Sequence, residues 1–153
     1  MEELRTRTES FKSQISETME ENRKLKHGSY EMKASLNYME NKLHYMEARA
    51  RRNNLIFHGL GKEKEKEDWK DAEALVRKLI SEKLEVDDST IKLERAHRIH
   101  NSNGPGPIIV KFLDFNDKEN ILRAHGHLKK TNIFINKDYT ARVCQTRKNC
   151  LHF

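Results

Sequence analysis

The side chains of this chain that could do chemistry are mainly cations, and their grouping suits the binding of a polyanion. Guanidinium groups bind phosphate oxygens through paired N–H donors, and lysine binds them as a compact point charge. The candidate nucleic-acid ligands are Arg51, Arg52, Arg95, His97, Arg98 and Lys111. The alternative for each of them is ordinary solvated surface charge, and His97 could equally be satisfied at the edge of a sheet.

The remaining reactive residues do not predict a metal site or a catalytic site. Cys144, Cys150 and His152 do not form a Cys-x-x-Cys or His-x-x-x-His spacing, so no metal site is predicted. The sequence has no Gly-rich phosphate loop, no Gly-x-Ser-x-Gly motif and no acidic metal cluster, and its eight histidines are scattered. We therefore expect a non-enzymatic protein without cofactors and without a small-molecule substrate.

The composition favours a small folded domain joined to a long solvated helix. Hydrophobic and charged residues each make up 35% of the 153 residues, a low apolar share for one compact core. Residues 62–90 carry seven Lys or Arg and ten Asp or Glu, a net charge of −3, whereas residues 91–137 carry nine and four, a net of +5. This asymmetry predicts one surface for polyanions and another that repels them, with plain solubility as the alternative.

The sequence does not predict a membrane-spanning segment or a secretory signal peptide. No apolar run approaches the ~20 residues that span a bilayer. The first residues have no apolar signal-peptide region. Together with only two cysteines, this predicts a reduced, intracellular protein without a membrane partner.

Residues 4–50 carry an apolar period of 3.5 that is typical of a coiled coil. Steps of three and four cross more than six heptads without a register slip or a proline. Polar residues and Gly28 weaken the first half, so residues 32–46 are the strongest part. The candidate oligomerisation residues, at a and d positions, are Leu25, Met32, Leu36, Met39, Leu43 and Met46.

Charged residues beside this seam favour a parallel homotrimer. In a parallel pairing Glu21 would face Lys26 and Lys42 would face Glu47, both attractive contacts. The segment 42–47 is similar to a trimer-favouring pattern that begins with arginine, and Lys42 departs from it. A dimer stays open as an alternative, as does a lone amphipathic helix packed on the following domain.

After Arg52 the pattern changes to six shorter elements. Strands are predicted over 55–60, 91–99, 108–113 and 133–135, and helices over 69–84, capped by Asp68, and 117–125. This β-α-β-β-α-β order is the split β-α-β arrangement, in which two helices cover one face of a four-stranded sheet. We predict an α+β protein, with a coiled-coil helix over 1–52 and a domain like the RNA-recognition motif (RRM-like) over 53–137.

The sheet face opposite the helices is the predicted binding surface. Arg95, Arg98 and Lys111 can lie on or beside it. RNA-recognition domains stack bases on aromatic side chains of the first and third strands, but Ile56 and Ile109 occupy those positions here. Base stacking should therefore be weak, and binding should rest on phosphate contacts. The alternative is a split fold that binds no nucleic acid.

Several segments together resemble a known family. They are Arg-Arg-Asn-Asn-Leu-Ile-Phe-His-Gly-Leu at 51–60, Glu-Arg-Ala-His-Arg-Ile at 94–99, Pro-Ile-Ile-Val-Lys-Phe-Leu at 107–113 and Ile-Leu-Arg-Ala at 121–124. Over about residues 30–149 the chain resembles the first-open-reading-frame protein of LINE-type retrotransposons, particularly its vertebrate versions. The resemblance implies a trimer that binds single-stranded RNA, with single-stranded DNA as an alternative, as a chaperone. It also implies cytoplasmic ribonucleoprotein particles, with the nucleus as an alternative location.

Residues 138–153 are similar to the start of that family's C-terminal domain. The resemblance makes Arg142, Arg147 and Lys148, in its first basic helix, a second group of candidate nucleic-acid ligands. The sequence ends before that domain is complete, and the loop over 101–106 has no basic residue, so we expect weaker RNA binding than in complete members. The leading hypothesis is sequence-tolerant binding of single-stranded nucleic acid, with avidity from the coiled coil. The alternative is an oligomerising protein-interaction module without significant RNA binding.

Overall fold

The computed structural model describes residues 2–61, 67–87, 89–100 and 104–150. The chain divides into two compact units, Met1–Tyr45 and Met46–Phe153. Most of the predicted charged loop, at 62–66, lies outside the described residues, as do the predicted turn residues 101–103 and the histidine His152.

Helix α1 runs from Glu2 to Ala50 without a break, which confirms the long N-terminal helix. No proline interrupts it, and Gly28 costs only about 1 kcal/mol relative to alanine. The polar seam residues Thr8, Thr18 and Asn22 donate hydrogen bonds to carbonyl oxygens four residues earlier, at 2.7–3.0 Å. None of the side chains of α1 is buried, so the apolar seam is uncovered in the single chain. Among the described helices, none is both long and apolar enough to cross a membrane.

The second unit confirms the α+β class and the predicted order of strands and helices. Its sheet is antiparallel throughout, with the strand order β2-β3-β1-β4. A short 3-10 helix, Ala124–Leu128, extends the second of its helices. The elements are β1 Asn54–His58, α2 Trp69–Glu82, β2 Leu93–Arg98, β3 Ile108–Phe112, α3 Phe115–Arg123, β4 Phe134–Lys137 and α4 Ala141–Cys150.

Alternate residues of the strands build the core against α2 and α3. Leu55 and Phe57 of β1, and Ile108, Val110 and Phe112 of β3, are fully buried. They share one cluster with the apolar stripes of the two helices, which contribute Ala72, Val76, Leu79, Ile80 and Ile121. Because side chains along a strand alternate between its two faces, the intervening residues lie on the opposite face of the sheet.

Aspartate caps fix where α2 and α3 begin. Asp68, the predicted N-cap of α2, accepts hydrogen bonds from the N–H groups of Lys70 and Asp71 at 2.8 and 2.9 Å. The Asp71 carboxylate accepts in turn from the Asp68 N–H, which completes a capping box. Asp114 caps α3 by accepting from the N–H of Asn116. The helix predicted to start at residue 117 therefore starts two residues earlier, directly after its cap.

Candidate nucleic-acid interface

A β-bulge at Glu94 decides which residues of β2 lie on which face of the sheet. Leu93 pairs with Phe112 and Arg95 pairs with Lys111, so Glu94 is the extra residue. One inserted residue reverses the alternation of side chains beyond it. Ala96 is consequently buried in the core, whereas Arg95 and His97 are exposed on the other face.

That other face, called the open face below, carries cations at one side and apolar or aromatic side chains further across. Its members follow from the register of the strands, because residues paired directly across two strands share a face. In one row Arg95 lies beside Lys111, and in the next His97 lies beside Ile109. The open face consists of Arg95, His97, Ile109, Lys111, Ile56, His58, Asn136 and Phe134, all at least partly exposed, and of Asn54, which is buried beside Lys111.

Three of the predicted ligands, Arg95, His97 and Lys111, are brought together on the open face. The described residues offer the Arg95 guanidinium no ion pair or hydrogen bond. The Lys111 Nζ lies 2.8–2.9 Å from the two carboxylate oxygens of Glu94. A partly exposed pair of this kind contributes at most about 1 kcal/mol, so Lys111 can exchange Glu94 for another anion at low cost.

Arg98 does not belong to the open face, and the expectation that its side chain is solvated is wrong. It lies three residues after Arg95, and an odd separation places two residues of a strand on opposite faces. Its side chain is only 8% exposed and pairs with Glu67, itself 5% exposed, with the Arg98 Nη2 2.9 Å from the Glu67 Oε2. The predicted solvent-exposed arginine is therefore a buried structural one.

All five N–H donors of Arg98 have acceptors. Nε donates to the Glu67 carboxylate at 3.0 Å, and Nη2 donates to it at 2.9 Å and to the carbonyl oxygen of Gly61 at 3.0 Å. Nη1 donates to the carbonyl oxygens of Leu60 and Gly106 at 2.8 and 2.7 Å. Arg98 thus connects the end of β2 to the segment after β1, to Glu67 just before the N-cap of α2, and to the segment before β3. We call this set of contacts the Arg98 clamp.

Arg51 is also held by carboxylates rather than left free for a ligand. Its Nη1 donates to Asp138 at 2.9 Å and its Nη2 donates to Glu47 at 2.7 Å. The hydrogen bond that Arg51 donates to the Asp138 carboxylate is the main reason why the pKa of Arg51 is raised above its ordinary value. The Nδ2 of Asn54 donates to the second oxygen of Asp138 at 2.9 Å. Arg51 therefore joins the end of α1 to the residue after β4, which is a structural role.

Arg52 and the basic residues of α4 are exposed. The Arg52 guanidinium lies 4.3 Å from the centre of the Phe115 ring, a cation–π contact. The second predicted group, Arg142, Arg147 and Lys148, lies on α4, where the Arg147 guanidinium lies 4.6 Å from the centre of the Tyr139 ring. An open groove of about 620 Å³ connects this helix with the open face, and its lining includes Ile56, His58, Asn136, Tyr139, Arg147 and Lys148. Cations therefore lie on two sides of the open face.

Three residues of the interface were missed by sequence reasoning. Phe134 lies on the open face, and Lys129 and Lys130 lie with it along a second groove. The signal for Phe134 was its position between Ile133 and Ile135, because the neighbours of a core residue in a strand point away from the core. The signal for the two lysines was a basic pair just before an aromatic strand residue.

Gly59 positions the end of β1 against the segment before β4. Its φ is +82°, a left-handed conformation, and a Cβ on it would overlap the carbonyl oxygen of Asn132. Gly59→Ala is therefore expected to lower the free energy of unfolding by about 2–4 kcal/mol, from left-handed strain and overpacking together. Urea denaturation of the full chain measures this change.

Gly61→Ala is the matched control for that substitution. Gly61 has no positive φ, and a Cβ there would meet no atom within 4 Å. Its stability should stay within about 0.5 kcal/mol of the parent protein. Equal stability of the two alanine variants would show that the contact between Gly59 and Asn132 does not constrain the fold.

The described residues contain no group of three or more His, Cys, Asp or Glu side chains placed to hold a metal ion. Cys144 is exposed as a free thiol on α4. The side chain of Cys150 lies outside the described part of the chain, as does His152.

Comparison with known proteins does not assign a family. The chain matches no protein-family model, and no curated protein is significantly similar to it. The resemblance to LINE-type proteins therefore stays a prediction from the sequence, and the function has to be inferred from the geometry of the interface.

Proposed function

We propose that the chain binds single-stranded nucleic acid, above all RNA, through the open face of an RRM-like domain, without strong sequence preference. The observation that carries this proposal is that Arg95 and His97, both exposed, and Lys111, partly exposed, lie together on a sheet face that neither α2 nor α3 covers. Arg147 and Lys148 of α4 flank the same face from its other side. A single strand of nucleic acid that crosses this face would thus contact cations at both sides of the face and apolar side chains between them.

The arrangement of the sheet supports the RRM-like part of the proposal. The four strands lie in the order β2-β3-β1-β4, with the first and third strands in the centre. This is the order of the split β-α-β arrangement, in which the central strands present the face used by RNA-recognition domains. Ile56 and Ile109 occupy the centre of that face. Because neither is aromatic, binding there should depend more on phosphate contacts than in domains with stacking residues.

The uncovered seam of α1 supports self-association of the chain through a parallel coiled coil, most simply as a trimer. Its large apolar side chains, from Leu25 to Met46, are more than half exposed in the single chain. Burying them against copies of the same helix removes this surface from water. Several weak binding domains held on one coiled coil would gain avidity for an RNA long enough to reach more than one of them. This is the behaviour expected of a chaperone-like ribonucleoprotein component of a LINE-type element.

The electrostatic part of the proposal predicts a steep dependence of affinity on salt. For single strands the slope of log affinity against log salt is about −0.7 per phosphate neutralised. Arg95→Ala should reduce the steepness by about 0.7 and weaken binding several-fold at ~50 mM salt. Fluorescence anisotropy with a labelled oligouridylate, measured from ~50 to ~300 mM salt, provides both numbers.

Arg123→Ala is the matched control for Arg95→Ala. Arg123 is an exposed arginine at the end of α3, and it lines neither of the grooves beside the open face. Its substitution should leave both the affinity and the salt slope close to those of the parent protein. An affinity that hardly changes with salt would refute the phosphate-binding surface.

The second candidate function is an oligomerising protein-interaction module, which the exposed seam of α1 favours. It predicts an assembled protein that fails to retain RNA even at ~50 mM salt, where phosphate contacts are strongest. Light scattering and anisotropy on the same sample distinguish the two functions, because only the first requires both assembly and RNA binding.

A further inference from the structure

Phe134 is a large apolar side chain that the core does not use. It begins β4, the edge strand of the sheet, and 61% of its surface is exposed. It shares the open face with its cross-strand partner His58. Its sequence neighbours Ile133 and Ile135 pack with the core instead. The ring of Phe134 is therefore held on a rigid strand with most of its surface available to a ligand.

Apolar and cationic groups lie on either side of this ring. In the next row of the open face lie Ile56 and Asn136, which pair across β1 and β4. On the other side an open groove of about 310 Å³ runs along β4, and its lining includes Phe134, Lys129 and Lys130. Both lysines are exposed, and the described residues provide neither Nζ with an ion-pair partner. An aromatic surface thus adjoins two lysines that no carboxylate among the described residues pairs with.

We propose that Phe134, His58, Lys129 and Lys130 form a nucleotide subsite in which one base stacks on the Phe134 ring and the adjacent phosphate pairs with the lysines. This subsite rests on the proposed binding of single-stranded nucleic acid and extends it from phosphate contacts to base stacking. Stacking on an aromatic face accepts any of the four bases, because each has a planar π surface. The subsite therefore adds affinity without sequence preference.

The position of the subsite defines the path of a bound nucleic-acid strand across the sheet. Arg95 and Lys111 lie at the β2–β3 side of the open face, and Phe134 lies on β4 at the opposite edge. Strands in a sheet are spaced by about 4.8 Å, so β2 and β4 are about 14 Å apart. A single strand that contacts both ends must cross the apolar centre formed by Ile56 and Ile109. The aromatic group that binds the base is thus on the edge strand rather than on the two central strands.

The test compares an oligouridylate of about 12 nucleotides, a length in the range of single-stranded binding sites, with an abasic strand of the same length. For the full-length chain, Phe134→Ala should weaken binding of the oligouridylate at least about fivefold, the lower limit for loss of one stacked base. It should leave binding of the abasic strand unchanged, because that probe keeps its phosphates and has no base to stack. Phe134→Tyr should restore binding of the oligouridylate.

Trp69→Ala is the matched control for removal of an exposed aromatic residue. Trp69 lies at the start of α2 and is 56% exposed, but it belongs to the helical layer. Its substitution should change binding of neither probe. Lys129→Ala with Lys130→Ala should weaken the binding of both probes and make the affinity depend less steeply on salt, because the double change removes phosphate contacts.

The possible outcomes separate this inference from the proposed function. If Phe134→Ala binds both probes like the parent protein, the subsite is refuted, while salt-dependent binding by Arg95 stands. If it weakens both probes equally, Phe134 does not stack a base, and the inference fails. If it leaves binding unchanged but lowers the mass measured by light scattering, Phe134 contacts another copy of the chain and the inference fails. If the parent protein binds neither probe at ~50 mM salt, the proposed function fails together with the subsite.

Discussion

Arg98→Ala is expected to lower the free energy of unfolding by about 3–5 kcal/mol, the usual cost of removing one partner from a buried ion pair. The substitution would leave the carboxylate of Glu67 almost fully buried without its cation. It would also remove the donors to the carbonyl oxygens of Leu60, Gly61 and Gly106. Urea denaturation of the full chain, followed by circular dichroism, measures the loss.

Three further variants and one control test whether the contacts of Arg98 cause this loss of stability. Arg98→Lys keeps the charge but not the planar fork of five donors, so it should recover only part of the stability. Glu67→Ala should be similarly destabilising. The double variant should lose less stability than the sum of the two single variants, because each single change leaves the other partner buried and unpaired. Arg95→Ala, the matched control on the same strand, should stay within about 0.5 kcal/mol of the parent protein. If Arg98→Ala and Arg95→Ala unfold at the same urea concentration, the Arg98 clamp does not stabilise the fold.

Placing aspartate at both Leu36 and Leu43 is expected to abolish assembly of the chain. Both side chains lie on the apolar seam of α1 and are exposed in the single chain. In a coiled coil they would be buried at a positions, where a carboxylate without a partner loses several kcal/mol of hydration. Light scattering should therefore change from the mass of a trimer to that of a monomer. Affinity for a long RNA should fall by about 10²-fold or more with the lost avidity, while affinity for a short oligonucleotide that reaches one domain should hardly change.

Ala34→Asp with Tyr38→Asp is the matched control, because it adds the same charge on the outward side of the predicted coil. Both residues are exposed and lie outside the a and d positions. The control should keep the assembled mass and the avidity for long RNA. A parent protein that is already monomeric at micromolar concentrations would refute the coiled coil, and a stable dimer would refute only the trimer.

The elements of this protein are largely determined by its sequence. The uninterrupted helix to Ala50 follows from an apolar repeat without proline, and the alternation of Leu55, Phe57, Ile108, Val110 and Phe112 follows from a strand with one buried face. The N-cap at Asp68 was predicted because a carboxylate satisfies the first N–H groups of a helix. Each of these features depends on residues within a few positions of one another, so local periodicity and capping are sufficient to predict it.

The roles of the cations were decided only by the tertiary structure. Alternation along β2 places Arg95 and Arg98 on opposite faces, but only the bulge at Glu94 decides which of the two lies on the open face. It places Arg95 there and Arg98 among buried acceptors. Arg51 pairs with Asp138, 87 residues away, and Phe134 is placed beside His58 only by pairing of β4 with β1. A charged or aromatic side chain can bind a ligand or make a structural contact. Which of the two it does depends on the groups that surround it in the folded protein. The physical reason is that local sequence sets the period of a strand, whereas the register between strands sets which groups meet.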